Sequence, residues 1–249
     1  MSTMIDAPVM GGTRPQSAER RFFARMTYMM AALVLIGFAP SFYLRGLVHY
    51  PRPNPTLNPM VILHGVMFTL WLLVFWAQTA LVAAGRRDLH MRLGIGGMVL
   101  AVLLVPVMYF SMVGQVARAN GPPFATPLGW TAVPFGTLLA YIPLAYLGWR
   151  LRKDGQAHKR LMLSAALLFM GPAVGRLPIM PPMLIGHAIL QTLAVCTFIP
   201  LILWDRRTLG RVHWATKLGV GLAAFAAYFG AWFCVSPWWE AFAATLPGV

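Results

Sequence analysis

The chain has 249 residues, of which 59% are hydrophobic and only 10% are charged, and its mean hydropathy is +0.67. A water-soluble domain has too little interior to bury that much apolar surface, so the composition excludes a soluble globular protein and predicts a membrane protein. A formal charge of +14 would suggest nucleic-acid binding in a soluble chain, but here Lys and Arg cluster between long apolar runs. We therefore predict that the partner of the chain is the lipid bilayer and that it binds no nucleic acid.

Seven apolar runs are long enough to cross a bilayer, because about 20 helical residues span its hydrocarbon core. The predicted spans cover residues 26–46, 59–84, 94–117, 129–151, 159–178, 183–204 and 214–236. They predict an all-α polytopic membrane protein whose seven-helix domain covers residues 26–236. A polar cytoplasmic tail precedes the domain at 1–25, and a short outer tail follows it at 237–249. No Asp or Glu lies within a predicted span, so a carboxylate-based proton relay is not expected there.

The basic residues predict the orientation of these spans. If the N-terminus is inside, the inner segments contain all of the 20 Lys and Arg residues except Arg45, Arg52, Arg118 and Arg176. This asymmetry is what the positive-inside rule predicts. We therefore expect the N-terminus inside, the C-terminus outside and a multi-pass position in a bacterial inner membrane.

The second and third spans resemble the sixth and seventh when the sequence is shifted so that His64 aligns with His187. In both copies a proline begins the segment, a methionine follows it and a histidine comes four residues after the methionine: Pro59, Met60 and His64, then Pro182, Met183 and His187. A second histidine follows at the same distance in each copy, His90 and His213. The pattern predicts a parallel repeat of helices 1–3 and 5–7 about a pseudo-twofold axis along the membrane normal. Chance similarity between apolar helices is the alternative.

The first histidine of each copy, His64 or His187, is predicted to lie inside the membrane near its outer face. A histidine there is rare and costly, so it is a functional-site hypothesis by default. If the two helices pack together, their imidazoles can face each other, as ligation of a b-type haem requires. Arg176 and Arg45, at the outer ends of the fifth and first spans, are then candidate partners for haem propionates.

Two other interpretations of this outer pair stay open. Met60 and Met183 each precede a histidine by four residues, which places thioether and imidazole on one helical face. Soft thioether ligands select Cu(I), so copper is the alternative metal. The third interpretation is a purely structural role in hydrogen bonding between helices.

Three further histidines, His90, His158 and His213, precede outward-running spans on the inner side. They predict a second haem ligated by His90 and His213, with His158 as a substitute ligand. Contacts with lipid headgroups or helix capping are the alternative. Since a helix of about 20 residues spans about 30 Å, the two histidines of one copy cannot share one metal. They can supply one ligand to each of two sites.

Several short motifs carry a resemblance to known proteins. They are His64-Gly65, Gln78, Leu89-His90-x-Arg92-Leu93-Gly94, His158-Lys159-Arg160-Leu161-Met162 and Arg176. Over roughly residues 60–180 the chain resembles a broad group of largely uncharacterised bacterial multi-helix membrane proteins. It is more distantly similar to the haem A synthase family and to small proteins that assist maturation of haem-copper oxidases. It differs from the synthases in having seven predicted spans instead of eight and no acidic residue beside the outer histidines. The resemblance implies haem handling without identifying a reaction.

The sequence thus predicts a haem-binding membrane protein that carries electrons or assists respiratory oxidase assembly. A non-catalytic accessory subunit or scaffold of a larger membrane complex is the second hypothesis. A small-molecule transporter ranks third, because the spans lack charged coupling groups.

Overall fold

The structure is a computed structural model that describes residues 13–48, 56–177 and 187–249, with side chains from residue 18 and, in the last segment, from residue 189. These residues form ten α-helices and no strand. The helices are α1 Thr13–Phe38, α2 Pro59–Ala83, α3 Arg87–Gly114, α4 Ala132–Arg150, α5 Gly155–Leu167, α6 Gly171–Val174, α7 His187–Cys196, α8 Ile199–Leu209, α9 Trp214–Phe233 and α10 Pro237–Ala243. The predicted all-α class is confirmed.

Five helical segments of the described chain are long and apolar enough to cross a membrane. They are Ala18–Tyr43, Pro59–Ala83, Arg87–Gly114, Gly129–Arg150 and Ile189–Leu209. A sixth candidate arises if α9 and α10, which meet at a bend of 100°, form one span. These helices fit a multi-pass membrane protein, as the composition predicts.

None of these candidates falls in the predicted fifth span, 159–178. It corresponds to α5, a 3-10 turn at Leu168–Met170 and α6. The first turns of α5 contain Lys159 and Arg160, which lower the hydropathy of the segment. The segment is nevertheless interior, because every residue from Leu163 to Leu167 is buried. Packing against other helices, and not contact with lipid, accounts for its sequence.

Part of the predicted polar tail at 1–25 is helical. Helix α1 begins at Thr13, so the basic stretch before the apolar run belongs to it. Glu19 in this stretch forms an ion pair with Lys159 of α5. A helix can continue beyond a membrane, so the cytoplasmic polar tail stays a prediction.

Helix α3 begins at Arg87, seven residues before the predicted start of the third span at 94. Gly85 adopts a left-handed backbone with φ of 75°, which favours glycine and permits a tight reversal after α2. The amide of His90 then donates to the carbonyl of Arg86 at 3.0 Å and extends the helix. His90 is consequently a helical residue instead of a loop residue.

The sixth predicted span, 183–204, is interrupted and longer at its inner end. Turn residues Thr197 and Phe198 separate α7 from α8. Pro200 explains the break, because its ring nitrogen cannot donate to the preceding turn. Helix α8 continues to Leu209 and therefore includes Asp205, so the prediction that this span contains no carboxylate is wrong.

The predicted outer tail at 237–249 contains a packed helix. In α10, Trp239 is 2% exposed and its indole nitrogen donates to Thr131 Oγ1 at 3.0 Å. Thr126 Oγ1 also donates to Glu240 at 2.8 Å. These bonds fasten α10 to the segment that precedes α4.

The core between the helices contains two residues that the internal repeat aligns. Phe75 of α2 and Phe198, immediately before α8, are both buried in one apolar cluster. The same cluster includes Met26 of α1, Leu163 of α5 and Ala223 of α9. Helices of both predicted repeat copies thus meet in one core, and the repeat itself stays a prediction.

Candidate histidine sites

The imidazole rings of His90 and His158 meet at the end of the bundle that the sequence predicts to be inner. His90 is in the first turn of α3 and His158 is in the first turn of α5. Their ring centroids are 6.2 Å apart and their planes are nearly perpendicular, at 85°. The sequence marks both residues as site candidates, and the fold brings them together.

Each ring of this pair has a nitrogen left for a further partner. His158 Nδ1 lies 2.8 Å from the carbonyl oxygen of Gly148 in α4, and because a carbonyl only accepts, the nitrogen carries the proton. His158 Nε2 is therefore the unprotonated nitrogen of the neutral ring. His90 Nδ1 is buried without a hydrogen-bond partner in the part of the chain described. A buried polar atom without a partner is costly and calls for an explanation.

The side chain of Gln78 lies at the contact between α2 and α3, against Gly94, which is one turn after His90 in α3. A Cβ atom on Gly94 would lie 3.3 Å from Gln78 Nε2, so the glycine leaves room for the amide group. The oxygen of this amide, Oε1, is also buried without a partner among the described residues. Unsatisfied polar atoms, His90 Nδ1 and Gln78 Oε1, thus occur on both helices of this contact.

Two arginines act electrostatically on the histidine pair. Arg87 lies close enough for its charge to act on His90, and Arg152 acts in the same way on His158. The Arg152 guanidinium stacks over the Trp149 ring at 4.4 Å and donates to the Trp149 carbonyl at 3.2 Å. Both arginines are exposed and can reach an anionic group bound near the rings.

His213, the third inner histidine, caps a helix. Its Nδ1 accepts from the amide of Ala215 at 3.1 Å at the start of α9, and its ring contacts that of Trp214. Burial lowers the pKa of His213, and the positive charge of Arg160 lowers it further. His213 thus caps a helix, which is the alternative to haem ligation for the inner histidines. The ring next to that of His90 belongs to His158. Ligation by His90 and His213 stays a prediction.

At the opposite end of the bundle, which the sequence predicts to be outer, His64 of α2 lies against Phe68, with ring centroids 4.4 Å apart. His64 Nδ1 is buried without a hydrogen-bond partner among the residues described. Arg176 lies near enough for its charge to act on His64, donates to the Pro172 carbonyl at 2.8 Å and stacks over Phe38 at 4.7 Å. This is the neighbourhood that the predicted outer site requires of His64 and Arg176.

The other predicted outer residues are placed less completely. His187 is the first residue of α7, but its side chain lies outside the described part of the chain, as does Met183. Met60 is in the first turn of α2, and Arg45 is an exposed turn residue after α1. The pairing of His64 with His187, the copper set and the role of Arg45 therefore stay predictions.

A buried ion pair joins α5 to α8, and sequence reasoning missed it. Arg160 donates from Nε and Nη2 to Asp205 Oδ1 at 2.9 and 2.6 Å, and both side chains are 0% exposed. Asp205 Oδ2 accepts from the His213 amide at 3.0 Å and from Thr216 Oγ1 at 2.6 Å. In the sequence, Arg160 is one of many basic residues predicted to lie at the inner membrane face. The available signal was Asp205, an acidic residue directly before Arg206 and Arg207.

Among the residues that the structure describes, no group of three or more His, Cys, Asp or Glu side chains could hold a metal ion. A site with two protein ligands, as in bis-histidine haem ligation, is a different arrangement. Comparison with protein families, curated proteins and solved structures finds no match to the chain.

Proposed function

We propose that this chain is a haem-binding integral membrane protein that carries electrons or assists assembly of a respiratory oxidase. The observation that supports this most directly is the contact between His90 and His158. The proposal changes the ligand pair expected from the repeat, because His158 replaces His213 as the partner of His90.

The spacing of the two rings agrees with a shared metal. Imidazole nitrogens ligate metals at about 2.0–2.1 Å, and a ring nitrogen lies ~1.1 Å from its ring centre, so two imidazoles that held one metal would have ring centres at most roughly 6 Å apart. The centroids of His90 and His158 are 6.2 Å apart. The perpendicular ring planes are no obstacle, since rotation about a metal–nitrogen bond preserves ligation.

The donor chemistry also fits. A ligating histidine usually donates its other ring N–H to a carbonyl or carboxylate, which fixes the tautomer and the ring orientation. The bond from His158 Nδ1 to Gly148 supplies this, and the unpaired His90 Nδ1 is the matching ligand atom. Bound haem would supply one-electron redox chemistry, and Arg87 and Arg152 would hold its propionates.

We further propose seven membrane spans, with the N-terminus inside and the C-terminus outside a bacterial inner membrane. In this arrangement α5 and α6 together form the fifth span, and α9 forms the seventh. The support is the distribution of exposed cations, which lie within or next to the terminal turns of helices at the proposed inner end. They include Arg86, Arg87, Arg150, Arg152, Lys153, Arg206, Arg207 and Arg211. The parallel repeat remains part of the proposal, supported by Phe75 and Phe198 in one core.

The outer histidines are proposed as a second ligand pair. His64 has an unpaired Nδ1 and lies near Arg176, a cation suited to a propionate. His187 would be the opposite ligand, and copper bound with Met60 and Met183 is the alternative. Two haems at opposite ends would provide an electron path across the membrane.

The deciding experiment is a visible spectrum of detergent-purified protein from haem-replete cells. We expect a Soret band and a reducible low-spin α band that weaken in His90→Ala and in His158→Ala. His213→Asn is the matched control, because asparagine preserves the cap of α9 and this histidine is not a proposed ligand. Pigment-free wild-type protein with normally folded variants would overturn haem binding.

The alternative function is a non-catalytic accessory subunit or scaffold of a larger membrane complex. Exposed aromatic side chains along α9, those of Phe225, Tyr228 and Trp232, support this alternative. Trp232 is 77% exposed, which suits contact with lipid or with a neighbouring membrane helix. Pigment-free protein that co-purifies with a respiratory complex, and loses it in Trp232→Ala, would favour the alternative over haem binding.

A further inference from the structure

We infer that the buried ion pair of Asp205 and Arg160 positions the inner histidine pair. It acts by fixing the start of α5, and with it the distance and angle of His158 relative to His90. The inference rests on the proposed function, in which the histidine pair holds haem. The effect of the ion pair on His158 can nevertheless be tested without haem.

Three consecutive residues of α5 contact three different helices. His158 bonds the Gly148 carbonyl of α4, Lys159 pairs with Glu19 of α1 and Arg160 pairs with Asp205 of α8. These contacts fix the first turns of α5 from several directions. The position of His158 is thus set by the contacts of its own helix as well as by its own bond.

Of these contacts, only the Arg160–Asp205 pair is wholly excluded from water. The side chains of Lys159 and Glu19 are 21% and 30% exposed, whereas those of Arg160 and Asp205 are 0% exposed. Charged hydrogen bonds are stronger when desolvated, and a buried charge without its partner is very costly. The buried pair is therefore the contact that α5 cannot give up without rearranging.

Asp205 also connects the start of α5 to the start of α9. Its Oδ1 accepts both bonds from Arg160, while its Oδ2 accepts from the His213 amide and the Thr216 hydroxyl. Arg160 Nη1 completes the network by donating to the Gln156 carbonyl at 3.0 Å and to its side-chain oxygen at 2.6 Å. A longer acidic side chain in place of Asp205 would move the carboxylate, which could then not accept from all these donors at their present positions.

A small movement of α5 would alter the histidine pair. His158 precedes Arg160 by two residues, and each helical residue advances the chain by about 1.5 Å. A displacement of this order at Arg160 would change the ring spacing or lengthen the bond to Gly148. Ligand sites typically depend on such supporting contacts for their orientation.

The test compares Asp205→Glu, which keeps the charge but moves it, with wild-type protein. Nitrogen-15 NMR of labelled histidines in haem-free protein reports the tautomer of His158. We expect one fixed Nδ1–H tautomer in wild type and an exchanging mixture in the variant. Glu19→Gln is the matched control, because it removes the partly exposed pair from the same turn, and it should leave the His158 signal unchanged.

The haem-loaded protein gives a second reading, because the electron paramagnetic resonance signal of a bis-histidine haem depends on the angle between its ligand planes. Asp205→Glu should shift this signal at unchanged haem content, whereas Glu19→Gln should not.

If wild type and Asp205→Glu have the same His158 tautomer signal, the positioning role is wrong. If the tautomer changes but wild-type protein binds no haem, the positioning role survives and the proposed function fails. Arg160→Lys, which keeps a charge but loses the fork geometry, should reproduce the tautomer change if Asp205→Glu does not fold.

Discussion

Arg160 and Asp205, which are 45 residues apart in sequence, form an ion pair that is completely buried between α5 and α8. Removing one member of such a pair leaves an uncompensated charge and costs about 3–5 kcal/mol. We therefore expect Arg160→Met to lower the free energy of unfolding by this amount. Denaturation in mixed micelles, followed by circular dichroism, measures the change.

The matched comparison is the double variant Arg160→Met and Asp205→Leu, in which no charge remains buried. Replacing a whole buried pair with apolar residues is often neutral or stabilising. The double variant should therefore be more stable than Arg160→Met alone. Equal losses in the two variants would show that the cost comes from lost packing and not from the unpaired carboxylate.

Gly219 of α9 marks a close contact with α5. A Cβ atom there would lie 2.1 Å from Ser164 Oγ and 2.6 Å from Ser164 Cβ. The hydroxyl can rotate away but the Cβ atom cannot, so Gly219→Ala must separate the two helices. We expect a destabilisation of about 1–3 kcal/mol, the usual cost of overpacking, measured in the same unfolding assay.

Gly221, two residues further along α9, provides the control because a Cβ atom there meets nothing within 4 Å. Alanine favours a helix over glycine by about 0.8–1.0 kcal/mol, so Gly221→Ala should be neutral or stabilising. Adding Ser164→Gly should rescue Gly219→Ala, whereas adding Ser164→Ala should not, since alanine retains the Cβ atom. Rescue by Ser164→Ala would show that the hydroxyl alone makes the contact.

Hydropathy predicted the apolar helices well, because a membrane span is defined by the length of an apolar run. The predicted span 59–84 begins where α2 begins, at Pro59. The predicted span 129–151 ends one residue after the end of α4 at Arg150. Hydropathy failed where tertiary contacts determine the ends of helices. The N-terminal turns of α1 are helical although they contain the charged residues Arg20 and Arg21. Glu19 in these turns forms an ion pair with Lys159 of α5.

The candidate site was predictable in its residue types but not in its pairing. A histidine near a membrane face is conspicuous in a sequence, so His90 and His158 were identifiable. Which rings meet depends on how α3 and α5 are arranged around α4, which both of them contact, and the repeat alone suggested His213. Asp205 was missed because a hydropathy boundary at 204 placed it outside the span, although α8 continues past it.

The cap that His213 provides predicts a dependence of stability on pH. The bond from the Ala215 amide requires an unprotonated Nδ1, and burial lowers the pKa of His213 in the folded protein. The neutral form is therefore favoured by folding, so its contribution is present above the unfolded pKa of about 6.5 and is lost as the pH falls below it. Unfolding measured at about pH 8 and about pH 5 should show this loss in wild type.

In His213→Asn the cap has no titrating group, so the loss of stability on acidification should be smaller than in wild type. The difference between the two proteins isolates this residue from His90 and His158, which are present in both. His213→Ala should be less stable at both pH values by about 0.5–2 kcal/mol, because alanine cannot accept the capping bond. Identical pH profiles for wild type and His213→Asn would exclude the capping bond as the pH-sensitive contact.

The proposed fifth span predicts that Lys153 and Leu177, at the two ends of α5 and α6, lie on opposite sides of the membrane. The apolar residues in the middle of this segment are buried by other helices, so hydropathy alone does not identify the segment as a span. Single cysteines at these positions, in a chain with Cys196 and Cys234 replaced by alanine, are tested with a membrane-impermeant maleimide on intact cells. Leu177→Cys should react, and Lys153→Cys should react only after the membrane is opened.

The ends of the described chain give an independent check of the same topology. With an odd number of spans, cysteines at Arg20 and Thr245, which are both exposed, must be labelled from opposite sides. Arg20→Cys should be protected in intact cells and Thr245→Cys should react. Protection of Thr245→Cys together with reaction of Leu177→Cys would mean that α9, a candidate span only together with α10, does not cross. Protection of both would mean that the segment of α5 and α6 does not cross, and the six remaining spans would then place both ends of the described chain inside.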